Sequence, residues 1–420
     1  MRYLARHTDY ERKGPPRATN RNYNLRRMAR LLEDLDHPER AFRCVHIAGT
    51  KGKGSVAIAT EMILRARGKR TGLYTSPHLM SMLERIRVDG SPTGDREFVD
   101  AAERMRAAME RVRPTYFEIM TAAAFVVFAE RKVDLAVIEV GLGGRLDATN
   151  LVTPEACAIT RIEYDHTEVL GRTLGRIAGE KAGILKPGIP VVLAEQRPAA
   201  RRVIVREARR VGAPVIPAPQ VGQVRSRWSR RGFVLEFEMD GRRYTAPAAG
   251  AHQAENLAVA LALARRVVSV TPEAAAEAFR RCAFPGRIEL VRRRPDVVID
   301  TAHNPASARA LRGTLEVVAP GRPWILVFGT PRDKDAGGMF RHLLAGTRLL
   351  ILTRARHPRA ASPEDLAARA GSVPKLVVAD VARAVRLACK AARRRDLVVV
   401  AGSFVVAGEA RGSLLPQSPA

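Results

Sequence analysis

The sequence predicts an α/β protein built as two domains, and three observations carry that reading. Apolar runs of strand length alternate with helical stretches along most of the chain, the pattern of βα units sharing a sheet. The first such unit closes on a glycine-rich turn, Gly49-Thr50-Lys51-Gly52-Lys53-Gly54-Ser55. The alternation breaks at 233–246 and resumes beyond Phe284-Pro285-Gly286-Arg287, which reads as an interdomain linker. The expected domains are therefore 1–284 and 285–420, and 420 residues suffice for two to three domains.

The elements follow in order. Residues 22–35 have helical apolar spacing. Arg43 to Ala48 is a buried strand that runs into the glycine-rich turn, and a helix follows from Val56 to Gly68. A strand from Thr71 to Tyr74 ends at Thr75-Ser76-Pro77-His78, with helices at 96–111 and 117–131 beyond it. The run 135–140 is a strand ending in Gly141-Leu142-Gly143-Gly144, and 156–160 and 191–193 are further strands. Two alternating runs flank Asp240-Gly241, which reads as a β-hairpin over 233–246. A helix at 252–267 closes this half. Strands at 297–300, 324–328, 349–353 and 397–401 alternate with helices in a smaller second domain, and the tail after Gly412 reads as frayed.

Composition narrows the function. With 46% hydrophobic and 27% charged residues, the chain can bury a core and is not a disordered one. No apolar run reaches about 18 residues, which argues against a transmembrane helix. The opening MRYLARHTDYERKGPP has no signal-peptide core. Cys44, Cys157, Cys282 and Cys389 are far apart and match neither a metal spacing nor a disulfide framework, so a reducing cytoplasm fits. The net charge of +28 invites nucleic acid, an anionic membrane or a polyanionic ligand as partner. That charge comes from 61 Arg against only 10 Lys, scattered on helices such as 201–210, where it reads as a solvated face. Aromatics are 5% and do not interleave with the basic residues, as single-strand binding would require. Where Lys is scarce, Lys51, Lys53, Lys181, Lys186 and Lys334 fall in motif segments.

The glycine-rich turn is the strongest local signal. A strand leads in, the glycines let backbone amides approach phosphates, Lys53 adds a cation, and Ser55 offers a hydroxyl for Mg²⁺. The turn lacks the upstream Gly of a strict Walker A motif, and Gly54 separates Lys53 from Ser55. Glu139, near the end of an apolar strand, is either a structural carboxylate or a Mg²⁺ ligand. Taken alone, His166 reads as a satisfied structural histidine, since imidazole is an uncommon Mg²⁺ ligand, and Lys181 as a surface or helix-end lysine. Asp300 ends a strand and His303-Asn304-Pro305 opens the next helix. This is a ligand-facing place in an α/β sheet, though Asn304 could simply cap the helix.

Together the segments HIAGTKGKGSVA (46–57), TSPHL (75–79), ERI (84–86), VIEVGLGGRLDATN (137–150), DHTEVLG (165–171), EKAGILKPGIPVV (180–192), HQAENLAVA (252–260), FPGRIE (284–289) and DTAHNP (300–305) resemble one family. It is the folylpolyglutamate synthase/dihydrofolate synthase branch of the Mur ligase superfamily, and the likeness runs from about 22 to 411. The resemblance implies a P-loop-type Mur ligase central domain and a smaller, Rossmann-like C-terminal α/β domain that binds glutamate. It implies that ATP activates a substrate carboxylate as an acyl phosphate, which the amine of L-glutamate attacks, and that the carboxylate belongs to dihydropteroate or a reduced folate. Gly49, Thr50, Gly52, Lys53, Gly54, Ser55, Asn256, Arg287 and Asp300 match its nucleotide contacts. Ser55, Ser76, Glu139 and His166 match positions around two Mg²⁺ sites, and a monovalent cation is compatible. Lys181 matches a lysine that the family carbamylates, an anion that Arg cannot become. His303 and Ser403 match the glutamate side, with Lys53, Lys181 and His303 expected to carry the catalysis.

Two departures stand out. Lys51 replaces the usual Asn, either to contact phosphate or to point outward, and Thr301 replaces Gly, where it would tighten the turn beside the nucleotide. A monomeric cytoplasmic enzyme with no nucleic-acid or membrane partner is expected, its positive charge offering to steer polyanionic substrates. The alternatives are a Mur-type ligase for a non-folate carboxylate and, from another class, a basic P-loop protein that binds nucleic acid.

Overall fold

The computed structural model describes residues 7–9, 24–229 and 232–415. The N-terminal sequence read for a signal peptide lies largely outside them. Two parallel sheets organise the chain. The first has eight strands in the order Ser91–Pro92, Ile86–Val88, Thr71–Tyr74, Leu135–Glu139, Arg43–Ala48, Ala156–Ile159, Val191–Leu193 and Val215–Pro217. Its first two strands pair antiparallel, and the other six run parallel. The second has six, in the order Glu289–Arg292, Asp296–Ile299, Leu397–Ala401, Trp324–Phe328, Thr347–Leu352 and Lys375–Val377, with only the first antiparallel.

The central strands are buried on both faces, which is why they read as unbroken apolar runs. Leu135–Glu139 and Leu397–Ala401 are buried at every residue. The helix Lys53–Ala66 packs between the first sheet and the helix Ala251–Ala264, with Val56, Ile63, Leu257 and Leu261 in one apolar cluster. The helix Tyr116–Glu130 is buried from Glu118 to Phe128. Thr115 and Glu118 close its first turn as a reciprocal cap, each side chain accepting the other's backbone amide.

The structure corrects the hairpin at 233–246. Gly232–Met239 pairs with Arg242–Ala246 as expected and also with Val221–Ser229, making a three-stranded antiparallel sheet. Val221–Ser229 carries half-exposed polar residues on both faces, so its apolar period is faint. This sheet touches both lobes. Leu235 and Phe237 lie in the first core, whereas Phe233 packs into the core of the second sheet beside Trp228. The last helix, Phe404–Leu414, continues past Gly412, where fraying was expected; residues 416–420 lie outside the described ones. Among the described residues no helix is long and apolar enough to cross a membrane.

Candidate functional site

A cleft of about 690 Å³ opens where the carboxyl ends of the two sheets face each other. Every candidate residue named from the sequence lines it: Gly49, Thr50, Gly52, Lys53, Gly54, Ser55, Ser76, Glu139, His166, Lys181, Asn256, Arg287, Asp300, His303 and Ser403.

The glycine-rich turn forms because its glycines have no room for side chains. Gly52 sits at φ 91°, and a Cβ there would lie 2.1 Å from Asn256 Oδ1. That contact seats the turn on the helix Ala251–Ala264, where Asn256 donates to Gln253 at 2.9 Å. The helix Lys53–Ala66 then begins with its free amide ends toward the cleft. The amides of Thr50 and Lys51 are committed elsewhere, donating to Arg161 O at 3.0 and 3.1 Å.

Glu139 stands opposite, at the carboxyl end of its strand, with Lys53 Nζ 3.9 Å from Oε1 and the Ser76 amide donating to Oε2 at 3.1 Å. Burial pushes its carboxyl up, against the pull of Lys53 and the Ser76 amide. Asp147 is tied down by the Leu142 amide at 2.8 Å and by the Thr149 hydroxyl at 2.6 Å.

Lys181, in the helix Leu174–Ala182, is 4% exposed. Among the described residues its amine has neither a hydrogen-bond nor an ion-pair partner, and burial, reinforced by the charge of Lys53, brings it down to about 7. His166 is the N-cap of the preceding short helix, Thr167–Leu170, at φ 49°, and leaves 42% of its side chain open to the cleft. The buried structural histidine is instead His46, whose Nε2 lies 2.8 Å from Thr149 Oγ1.

From the second sheet, Asp300 accepts from the amides of Ile288 and Ala302 at 2.8 and 2.7 Å, and burial raises it to about 6. Arg287 donates to the Thr301 hydroxyl and lies 4.9 Å over the Phe404 ring. Thr301, where the family has Gly, thus gives Arg287 a hydroxyl partner that Gly could not offer. His303 donates from Nδ1 to Thr301 O at 2.8 Å. Ser403 and Asn304 are helix caps, accepting from Val406 and Ser307 at 3.1 and 3.0 Å.

The sequence reading missed Asp165, which it quoted in a motif but gave no task. Lys51, Asn304, His303, His166 and Lys334 all gather around its carboxylate. Burial works to raise this carboxyl, but the neighbouring His303 ring and the charge of Lys51 prevail and hold it far below the usual carboxylate range. Lys51 therefore does not point outward; its amine is paired with Asp165. Its signal was Lys334, a further lysine in a lysine-poor chain.

The donor set fits a divalent cation that brings its own phosphate. Among the described residues no three His, Cys, Asp or Glu side chains cluster closely enough to cage an ion. Glu139, buried with one cation at 3.9 Å, and the buried Ser55 hydroxyl offer a partial oxygen set. Mg²⁺ takes such sets, completing its shell with phosphate and water.

The chain matches the family model of the Mur ligase middle domain over residues 47–264 and that of the Mur ligase, glutamate ligase domain, over 286–404. A dihydrofolate synthase/folylpolyglutamate synthase of Bacillus subtilis is 36% identical over 358 residues, covering 81% of this chain and 83% of that one. The structure of Mycobacterium tuberculosis folylpolyglutamate synthase complexed with ADP aligns at a TM-score of 0.89 and 32% identity, covering 100% of this chain and 98% of that one. That of a bifunctional folylpolyglutamate synthase/dihydrofolate synthase with Mn, AMPPNP and L-glutamate bound aligns at 0.82 and 31% identity, covering 96% of each.

Proposed function

The chain belongs to the Mur ligase family, in its folylpolyglutamate synthase/dihydrofolate synthase branch, and from that we propose that it joins L-glutamate to a folate in an ATP-dependent amide ligation. The observation that supports this best is that one cleft has a phosphate-type loop on one wall and Asp300, His303 and Ser403 on the other.

The substrate carboxylate attacks the γ-phosphorus of ATP, giving an acyl phosphate and ADP. The glutamate amine then attacks the acyl carbon, loses a proton and expels phosphate. Gly49, Thr50, Gly52, Lys53, Gly54 and Ser55 cradle the phosphates, countering their charge as it shifts toward the leaving oxygen. Asn256, Arg287 and Asp300 hold the rest of the nucleotide. Ser55, Glu139, Ser76 and His166 would hold Mg²⁺, which when bound would supply charge neutralisation at the phosphates. His303 and Ser403 orient the incoming glutamate, and the closed lobes keep water from the acyl phosphate. The domain boundary lies at Phe284/Pro285.

Lys181 acts as a carbamate. Its amine nitrogen adds to CO₂ and releases a proton, becoming an anion beside the metal sites. A buried, unpaired amine brought down to about 7 is largely neutral at physiological pH and competent for this addition. Lys181→Ala should be largely inactive and partly rescued by small carboxylates; unimpaired turnover would exclude the carbamate.

The enzyme works as a cytoplasmic monomer without nucleic-acid partners. Many surface arginines are already paired with carboxylates, Arg43 with Glu155 and Arg104 with Glu130 among them, as on a solvated face. The deciding experiment is ADP release with Mg²⁺-ATP, comparing dihydropteroate and tetrahydrofolate, each with and without L-glutamate. Glutamate-dependent turnover with both marks a bifunctional enzyme, and with one it fixes the step. Turnover with neither, while ATP binds, moves the acceptor outside the folates.

A further inference from the structure

Lys51 and Asp165 have no part in the mechanism above, yet they meet at the centre of the cleft. Lys51 Nζ lies 2.9 Å from Asp165 Oδ2. The same oxygen accepts from Asn304 Nδ2 at 3.0 Å and stands 3.7 Å from His303 Nε2. Lys334 Nζ lies 3.6 Å from the other oxygen. Lys51 and Asp165 belong to the lobe of the first sheet; His303, Asn304 and Lys334 belong to the lobe of the second. The Asp165 side chain is only 9% exposed. One sheltered carboxylate thus receives the phosphate loop on one side and three groups of the opposite lobe on the other.

The backbone fixes this pairing. The amides of Thr50 and Lys51 both donate to Arg161 O, and the Thr50 hydroxyl donates to Glu163 O at 3.2 Å. The arm of the loop that carries Lys51 is therefore strapped to the segment that carries Asp165. With its amide committed and its amine in an ion pair, Lys51 is turned away from the phosphate-cradling part of its own loop.

We propose that Lys51 and Asp165 are positioning residues: the pair holds the two lobes in their reactive arrangement and sets His303 and Asn304 against the phosphate loop. The proposal rests on the ligase reading above. Lys51 fixes the carboxylate in one position through a charge-assisted hydrogen bond, about twice as strong as a neutral one, so that Lys334 and Asn304 meet it in one arrangement. Removing Lys51 should loosen the glutamate side while leaving the nucleotide contacts intact.

The test is a double-mutant cycle of Lys51→Met and Asp165→Asn, with Lys51→Arg as the conservative variant. Three quantities are read: kcat and KM for glutamate, the affinity for a non-hydrolysable ATP analogue by calorimetry, and the radius of gyration of the analogue complex by small-angle scattering. Each single variant should lower kcat/KM for glutamate by about tenfold or more, the usual scale for one charge-assisted hydrogen bond. Analogue affinity should stay within about twofold, since neither residue is assigned to the phosphates. The double variant should be no worse than Asp165→Asn alone, and Lys51→Arg should keep most of the activity. Analogue complexes of both Met and Asn variants should be more extended than the parent's. A large loss of analogue affinity in Lys51→Met that persists in the Asp165→Asn background would make Lys51 a phosphate ligand and overturn the proposal, as would additive effects or unchanged kcat/KM. The scattering needs no acceptor, so a parent protein that turns over no folate but still differs from its variants in compactness would move the acceptor outside the folates and leave the positioning role standing.

Discussion

Lys181 allows the effect of burial on the cleft to be measured directly. Its side chain is 4% exposed, and burial with the neighbouring Lys53 charge takes its amine from 10.5 to about 7. A fall of about 3.5 in pKa, at ~1.4 kcal/mol each, is a penalty of ~5 kcal/mol for keeping this amine charged in the folded protein. Proton counting gives the sign. Between pH 7 and 10.5 the unfolded chain binds a proton here that the folded chain has released, so stability rises with pH across that window. Below pH 7 the amine is charged in both states and the full penalty stands; above 10.5 it is gone. Lys181→Met removes the charge at similar volume. The variant should therefore be more stable than the parent by ~5 kcal/mol at pH 6, ~3 at pH 8 and ~1 at pH 10, with other titrations cancelling between the two proteins. The assay is urea unfolding followed by circular dichroism, in CO₂-stripped buffer so that no carbamate forms. A gap that stays constant from pH 6 to pH 10 would refute the argument that burial depresses this amine.

The other substitutions test separate contacts. Lys53→Ala should abolish ADP release, because it removes the cation 3.9 Å from Glu139 at the phosphate loop; residual turnover above about a hundredth of the parent's would move that role elsewhere. Gly52→Ala places a methyl group 2.1 Å from Asn256 Oδ1 at φ 91°. It should cost ~1–3 kcal/mol in thermal stability and weaken ADP binding by calorimetry, and a variant that matches the parent in both would show the turn to be pliable. Asn304→Ala removes a helix cap that also donates to Asp165 at 3.0 Å. It should lose ~1 kcal/mol as a cap and raise KM for glutamate as well, which a pure cap would not do.

What the sequence disclosed follows burial. The central strands 43–48, 71–74, 324–328 and 397–401 were legible to the residue, because strands covered on both faces must be apolar throughout. The strands it missed, Val221–Ser229, Val215–Pro217, Ile86–Val88, Ser91–Pro92, Glu289–Arg292 and Lys375–Val377, lie at or next to sheet edges. Edge strands are short and carry charge, which erases the periodicity that would reveal them. The site divides in the same way. Gly52, Glu139 and Asp300 carry local signals: a turn, a carboxylate on an apolar strand, a strand end. Lys181 and His166 were misleading on residues alone, since nothing local says that a helix-end lysine is buried or that a histidine opens onto a cleft. Asp165 was illegible because its role depends on Asn304 and Lys334, 139 and 169 positions further along the chain, which only the assembled lobes bring to it.

The net charge of +28 is the feature the sequence flagged most loudly, and the cleft accounts for little of it. Nine Lys or Arg and eight Asp or Glu line the cavity, so its walls are formally close to neutral. Any attraction of ATP or a folate therefore comes from the field of the whole surface. Such a field reaches about 30 Å at 0.01 M ionic strength and about 8 Å at 0.15 M. Steering by it predicts that kcat/KM falls severalfold between those two concentrations and flattens beyond, while kcat, measured after the substrates have arrived, does not change. A decline that continues steeply to 1 M salt would mean that contacts inside the cleft are being screened. A profile flat from the start would mean that the arginines serve solubility and leave the encounter to diffusion.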